Sequence, residues 1–343
     1  MAAAKRTARV IEGVTPDRIP FSELIAGNEP VFMPGMVASW PLVEAGRRSA
    51  ASAIDFMAAS YGGTPAKVYI GDADIKGRFY YDESRTRMNY RVETTSLLNV
   101  FAAIKSDLAS SMHPYYYIPS LVYADGFPGL QDANTLRFDH EIFHANPVTA
   151  KSWIGTESIT GAHFDMPSNI ACCAVGRRRF TLFPPEQVHN LYPGPFHVTP
   201  GGQVTTMVDI RNPDFNAYPR ARDALAAAVV VDLEPGDGLY YPSMWWHEVE
   251  ARDRFNAMIN HWWYASPAYM ADPVDVLMHA VLGIRDRPQQ VKQAWRELFD
   301  YYIFGSAETP RAHLPEACHG VLAELDETLA RRLRAALQQN LNR

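Results

Sequence analysis

A histidine and an aspartate separated by one residue, His163 and Asp165, are the first candidates for chemistry in this chain. Side chains alternate along a β-strand, so positions two apart share a face. An imidazole and a carboxylate on one face supply two of the three ligands of a facial triad for non-haem Fe(II). His247 follows two tryptophans near the end of an apolar run and supplies the third ligand from another strand. The spacing therefore predicts a metal site made of these three residues.

A His-x-Asp pair alone is weak evidence, because it also fits a capped turn with a surface histidine. Gly161 and Pro167 flank the pair, as expected where a strand ends and opens into a pocket. A turn at 234–237 joins two further strands, and His247 lies beyond the second, where it can approach His163. No cysteine lies at ligand spacing from His163, which argues against a closed zinc site. Other histidines are interpreted as loop or core residues: His140, His144, His189, His197 and His261.

The overall composition limits the number of domains and the kinds of partner that this chain can have. With 343 residues, 47% of them hydrophobic, the chain can form one large domain with an appendage, or two domains. The formal charge of −6, from 32 basic and 38 acidic residues, gives no electrostatic argument for nucleic acid as an obligate partner. Cys172 and Cys173 are adjacent inside an apolar run, which is typical of a reduced intracellular protein rather than a disulfide framework.

The start of the chain, Met1 to Thr7, is basic and lacks the apolar segment of a secretory signal. No apolar run approaches the roughly 18 residues that span a bilayer. We therefore expect a cytoplasmic protein without a membrane partner.

Strand patterns dominate between residues 115 and 264, and helical patterns lie on both sides. The apolar spacing over 49–61 and 95–110 predicts two helices. The segment 189–221, rich in Pro, Asn and Asp, is predicted to be a surface loop. Strands are predicted at 67–70, 78–81, 115–118, 150–155, 169–175, 179–183, 227–233, 238–241 and 256–264.

The pattern changes after Pro267. Residues 272–283, 288–303 and 324–341 carry apolar side chains at helical spacing and are mostly free of interior Pro and Gly. The sequence therefore predicts one domain over residues 1–267, in which N-terminal α/β elements precede the strands of the metal site. A helical region over 268–343 follows it.

Two longer segments surround the candidate ligands. One is Gly176-Arg-Arg-Arg-Phe-Thr-Leu-Phe-Pro-Pro-Glu-Gln, and the other is Glu234-Pro-Gly-Asp-Gly-Leu-Tyr-Tyr-Pro-Ser-Met-Trp-Trp-His. They resemble the cupin-like JmjC hydroxylases, in particular the asparaginyl hydroxylase that acts on hypoxia-inducible factor, and the segment that starts at Glu29 resembles the family's entry segment. The likeness covers about residues 20–265.

The resemblance implies a mainly β fold, a double-stranded β-helix of the jelly-roll or cupin type, with flanking N-terminal helices and a C-terminal helical appendage. It implies Fe(II), 2-oxoglutarate and O2, in a dioxygenase reaction that hydroxylates a C–H bond and releases succinate and CO2. In members of the family the C-terminal helices form a dimer interface. The apolar stripes here allow a homodimer, although they could instead cover the barrel.

The resemblance also implies roles for individual residues. His163, Asp165 and His247 match the iron ligands, and Thr160 and Tyr117 match residues that bind a carboxylate of 2-oxoglutarate. Three further positions match polar groups near the oxoacid and the iron: Asn169, Asn260 and Arg178. Arg178 is a departure, because the family has a lysine there that pairs with the distal carboxylate. An arginine can hold a carboxylate with two hydrogen bonds, so the role can survive with changed geometry.

The substrate is less constrained by the sequence. A wall of aromatic residues (Trp245, Trp246, Trp262 and Trp263) fits a protein or peptide side chain as well as an apolar small molecule. Two other functions stay open: a metal-dependent cupin of another class, such as an isomerase or lyase that uses Arg178 for a substrate carboxylate, and a binding cupin without catalysis. Retention of all three candidate ligands argues against the latter.

Overall fold

The structure is a computed structural model that describes residues 6–342. Most of the basic start considered above, residues 1–5, lies outside the described part. The strands are β1 (Arg9–Val10), β2 (Val31–Met33), β3 (Ala66–Gly71), β4 (Arg78–Phe79), β5 (Arg91–Thr95), β6 (Tyr115–Val122), β7 (Thr149–Gly155), β8 (Ser158–Phe164), β9 (Ser168–Val175), β10 (Arg178–Phe183), β11 (Val229–Leu233), β12 (Gly238–Tyr241), β13 (Trp246–Ala251) and β14 (Asn256–Trp263). The helices are α1 (Phe21–Gly27), α2 (Pro41–Arg48), α3 (Ala50–Ala59), α4 (Leu97–Asp107), α5 (Tyr123–Gly126), α6 (Ile142–Ala145), α7 (Ala221–Ala227), α8 (Pro273–Gly283), α9 (Gln289–Phe299) and α10 (Glu327–Leu341).

The strands form two sheets. The larger sheet has the order β1-β2-β12-β9-β14-β7-β6-β3-β5, and the smaller has the order β11-β10-β13-β8-β4. From β8 to β14 the chain passes repeatedly between the two sheets, and its pairings are antiparallel. This is the arrangement of a double-stranded β-helix, so the predicted mainly β jelly-roll fold with helical flanks is confirmed.

The space between the sheets is filled by side chains that alternate along the strands. On β10, Phe180 and Leu182 are fully buried, whereas Arg179 and Thr181 on the other face are half-buried. Residues paired across neighbouring strands point to the same side of a sheet. Because His247 is paired with Leu182, the register points His247 into the barrel.

Strand β9 is buried along nearly its whole length because both of its faces are covered. Ile170 and Cys172 belong to the cluster that includes helix residues such as Phe101, whereas Ala171 and Cys173 belong to the cluster between the sheets. A strand buried on both faces reads as a continuous apolar run. This explains why two adjacent cysteines occur here, and both are free and buried.

The prediction of a surface loop over 189–221 is wrong for part of that segment. Val204, Val208 and Ile210 are buried in a cluster with Trp246, and helix α7 begins at Ala221. The main chain is tied to β8, since the Thr206 amide donates to the Ala162 carbonyl at 2.7 Å. The buried apolar residues of this segment lie among many prolines and polar residues. They are too widely spaced to show the hydrophobic periodicity of a helix or a strand.

The chain divides into two compact units, the first ending at Ala265 and the second beginning at Ser266. In the second unit, α8 and α9 are followed by one turn of π-helix, Asp300–Phe304, and later by α10. Many of its apolar side chains are exposed, including Leu282 at 77% and Phe304 at 75%. Between residues 6 and 342, no helix combines the length and the apolar character needed to cross a bilayer.

Candidate metal centre

The three candidate ligands converge at one end of the barrel. His163 on β8 and His247 on β13 are direct partners in the strand register, with ring centroids 4.4 Å apart. Asp165 follows β8 immediately and is held by its own backbone carbonyl, which accepts from the Met244 amide at 2.9 Å. Ligand atoms of the three residues all lie within 4.8 Å of one another. They are therefore close enough to bind one ion.

Main-chain carbonyls orient both imidazoles. His163 Nδ1 lies 2.9 Å from the Gly161 carbonyl oxygen, and His247 Nδ1 lies 3.0 Å from that of Trp245. A ring whose Nδ1–H donates to a carbonyl presents the Nε2 lone pair to a metal. His247 Nε2 lies 3.6 Å from Asp165 Oδ2. The two rings thus present equivalent nitrogens beside the carboxylate.

The electrostatics favour the protonation states that a metal requires. Burial and the neighbouring His247 lower the pKa of His163 to about 4. Burial alone would raise the pKa of Asp165, but the contact with His247 and the charges of both histidines outweigh it, so that this pKa is lowered. Metal ligands bind as neutral imidazole and as carboxylate. At neutral pH, His163 is therefore neutral and Asp165 is ionised, which are the forms that bind a metal.

Four of the residues matched to oxoacid binding line the same cavity as the triad: Tyr117, Thr160, Arg178 and Asn260. Thr160 Oγ1 lies 3.4 Å from the Tyr117 hydroxyl, and Arg178 Nη2 donates to the Trp153 carbonyl at 3.0 Å. Asn169 does not line this cavity, although it is fully buried and paired in register with Tyr241, which does. The structure thus gathers every predicted site residue except Asn169 around one space.

Several buried polar atoms here have no hydrogen-bond partner among residues 6–342: Arg178 Nε, Asn260 Oδ1 and both side-chain amide atoms of Asn169. An unsatisfied buried polar group is costly, and a polar ligand removes that cost. Among the cavity residues, Arg178 and the hydroxyls of Tyr117 and Thr160 supply donors that fit a carboxylate ligand, and the His-Asp-His set fits Fe(II). Only about 30 Å³ is open between the side chains, which is room for one or two waters.

The predicted wall of four tryptophans is wrong, because none of Trp245, Trp246, Trp262 and Trp263 lines the cavity. Trp246 packs edge-on against Phe164, and Trp263 stacks against Tyr240, both in clusters outside the cavity. Adjacent residues on a strand point to opposite faces, so a Trp-Trp pair cannot line one pocket with both rings. Trp153 and Tyr241 also line the cavity, although the sequence did not single them out as site residues. The alternation of side chains along their strands was the signal that could have indicated them.

The sequence profile of the cupin-like domain matches residues 16–269. The chain belongs to the cupin-like domain family. The resemblance to JmjC proteins predicted from the sequence is thereby confirmed. The family match contains β2 to β14 and all three candidate ligands.

Named relatives within the cupin-like family share shorter segments. The chain is similar to Lysine-specific demethylase JMJ31 of Arabidopsis thaliana, at 29% identity over 168 residues, which are 46% of this chain and 30% of that protein. It is similar to human HSPB1-associated protein 1, at 32% identity over 150 residues (42% and 30%). It is also similar to tRNA wybutosine-synthesizing protein 5 of Gallus gallus, at 34% identity over 113 residues (33% and 32%). The chain spans about a third of the length of these relatives.

Proposed function

We propose that this protein is an Fe(II)- and 2-oxoglutarate-dependent dioxygenase that hydroxylates a C–H bond. JmjC-type cupins usually use Fe(II) and 2-oxoglutarate. The observation that carries the proposal is that two imidazoles and a carboxylate face the same small cavity as a buried arginine. When bound, Fe(II) and 2-oxoglutarate would supply O2 activation and two electrons, so that one oxygen atom enters the substrate and the other enters succinate as CO2 leaves.

The chain's own residues supply binding, orientation and a dry environment. His163, Asp165 and His247 would hold the metal. Arg178, buried and without a carboxylate partner among the described residues, would pair with the distal carboxylate of the oxoacid. Tyr117 and Thr160, whose hydroxyls lie 3.4 Å apart, would hydrogen-bond to that same carboxylate.

The proposal is tested by measuring succinate formed from 2-oxoglutarate with Fe(II), O2 and ascorbate, without any added substrate. We expect slow uncoupled turnover that stops when the metal is chelated. The oxoacid should also raise the unfolding temperature of the metal-loaded protein, since it binds only the folded state. If the metal binds tightly but 2-oxoglutarate neither binds nor decarboxylates, the protein is a cupin of another class. If neither binds, the site is not a metal centre.

For the substrate, we propose a protein or peptide side chain or a small molecule. The names of two relatives refer to proteins, a lysine demethylase and an HSPB1-associated protein, and that of the third refers to tRNA. The net charge of −6 favours the first class over RNA. Tyr117, Trp153 and Tyr241 give the cavity an aromatic lining that suits an apolar stem beside the reacting carbon. A cytoplasmic location stays a prediction.

We further propose that the second unit forms a homodimer. Several of its apolar residues are exposed, among them Leu282, Trp295 and Phe304, and exposed apolar surface is typical of an interface between subunits. Replacing Leu282 and Phe304 together by glutamate should convert dimers to monomers, because two charges would be buried at the interface. Light scattering after size-exclusion chromatography measures the change, and Gln290→Glu, at an exposed polar position on α9, is the control. A wild-type protein that is monomeric at micromolar concentration contradicts the proposal.

A further inference from the structure

A lysine lies at the mouth of the cavity that contains the candidate metal centre. Lys151 on β7 is paired in register with Asn260 on β14, and it shares a strand face with Trp153. Asn260 and Trp153 line the cavity, so Lys151 points to the same side of the sheet. Along this face of β7 the side chains change from half-buried at Trp153 and Lys151 to exposed at Thr149. Lys151 therefore lies where the cavity opens to solvent.

The ammonium group of Lys151 lies over an aromatic ring and has no anionic partner. Its Nζ is 4.3 Å from the centre of the Trp262 ring, and this ring packs against Trp153 with their centroids 5.9 Å apart. Among residues 6–342 no hydrogen bond or ion pair reaches the ammonium, although the charge of Asp165 acts on it. A lysine that rests on an indole keeps its charge and all three of its hydrogen-bond donors.

Two further donors in this aromatic group lack an acceptor. The indole N–H groups of Trp153 and Trp262 are buried and have no hydrogen-bond partner in the described part of the chain. An indole nitrogen and an ammonium can only donate, and an unsatisfied buried donor is costly. With Lys151 Nζ they form a set of donors that fits a ligand group with acceptors only, such as a carboxylate.

On the proposed oxygenase function, the charges of the loaded site also leave Lys151 without a counterpart. The two positive charges of Fe(II) are balanced by the two carboxylates of 2-oxoglutarate, and the charge of Asp165 is balanced by that of Arg178. We propose that Lys151 selects the substrate of this oxygenase by pairing with the carboxylate of an aspartate or glutamate side chain of a peptide. The mouth opens beside the exposed Thr149, so the peptide chain that carries the acidic group can continue into solvent.

The test is calorimetric titration of the full chain, loaded with Fe(II) and 2-oxoglutarate and kept free of O2 so that no turnover occurs. The probes are acetyl-Ala-Ala-X-Ala-Ala-amide peptides in which X is aspartate, glutamate, asparagine or glutamine. We expect the tighter acidic peptide to bind at least about tenfold more tightly than its amide counterpart. Lys151→Met should remove that preference, and Lys151→Arg should keep most of it because the charge is retained. Lys67→Met, at an exposed position on β3, is the control and should bind the peptides as wild type does.

Titration with 2-oxoglutarate alone distinguishes a contact with the substrate from a contact with the co-substrate. The Kd of the oxoacid should change by less than about fivefold in Lys151→Met, because Arg178 holds the distal carboxylate. A larger increase would mean that Lys151 binds the co-substrate, and the proposal would be wrong.

Three other results would also overturn the proposal. The acidic and amide peptides could bind equally or not at all, which would show that Lys151 selects no carboxylate. Acetyl-Asp-amide or acetyl-Glu-amide could bind as tightly as the peptides, which would make the ligand a small acid. Lys151→Met could keep the preference for the acidic peptide, while its unchanged unfolding temperature shows that it is folded. If Fe(II) and 2-oxoglutarate do not bind, the oxygenase function fails, and the same peptide titrations on the unloaded chain still decide whether Lys151 pairs with a carboxylate.

Discussion

Replacing His163 by alanine is expected to reduce the Fe(II) affinity by more than about 100-fold and to abolish metal-dependent decarboxylation of 2-oxoglutarate. The imidazole presents its Nε2 to the centre because its Nδ1 is held by the Gly161 carbonyl. Without it only His247 and Asp165 remain, and two ligands do not retain the ion against water. Metal content after dialysis and succinate yield measure the two effects.

His189→Ala is the matched control for this variant, because His189 is exposed on the segment after β10 and does not face the triad. It should keep wild-type metal content and turnover. Circular dichroism must show that both variants fold, since His163 lies on a central strand. A His163→Ala protein that still binds Fe(II) and forms succinate would exclude the metal assignment.

Arg178→Met is expected to raise the Kd for 2-oxoglutarate by at least about 30-fold while leaving Fe(II) binding intact. Arg178 is 3% exposed and burial lowers the pKa of its guanidinium, so the chain carries a desolvated charge that a carboxylate of the ligand would compensate. Arg178→Lys should recover part of the affinity, since it restores a charge without the two-pronged geometry. Titration of the metal-loaded protein with the oxoacid measures the constants.

The unfolding temperature distinguishes a role of Arg178 in binding 2-oxoglutarate from a role in stabilising the fold. Methionine fills much of the same space without a buried charge, so the unfolding temperature without oxoacid should not fall. The rise in unfolding temperature that 2-oxoglutarate gives the wild type should disappear. Arg179→Met is the control, because Arg179 points away from the barrel and pairs with Asp232. If Arg178→Met binds the oxoacid like wild type, another group holds the distal carboxylate.

The candidate metal site could be predicted from sequence because its signals are local. The spacing of His163 and Asp165 gives their common direction, and the short Pro-Ser segment between β12 and β13 returns the chain to the smaller sheet, where β13 lies beside β8. Asp165 nevertheless lies just beyond the strand, where no alternation applies. Its position is fixed by the loop before β13, which a pattern along one strand cannot indicate.

The elements that escaped prediction depend on distant parts of the chain. The segment 189–221 looked solvent-exposed because its composition is polar, but a few anchors such as Val208 are buried against Trp246. Because side chains alternate along a strand, adjacent tryptophans point to different faces. The same alternation indicates that Trp153 faces the cavity.

Both candidate ligand rings, those of His163 and His247, are fixed by the carbonyl of the residue two positions earlier, Gly161 for one and Trp245 for the other. These anchors belong to the main chain, so they are kept whatever side chains surround the rings. The lining of the cavity can therefore be exchanged through mutation while the inner coordination geometry persists. A scaffold of this kind can acquire new substrates one wall residue at a time, without rebuilding its reactive centre.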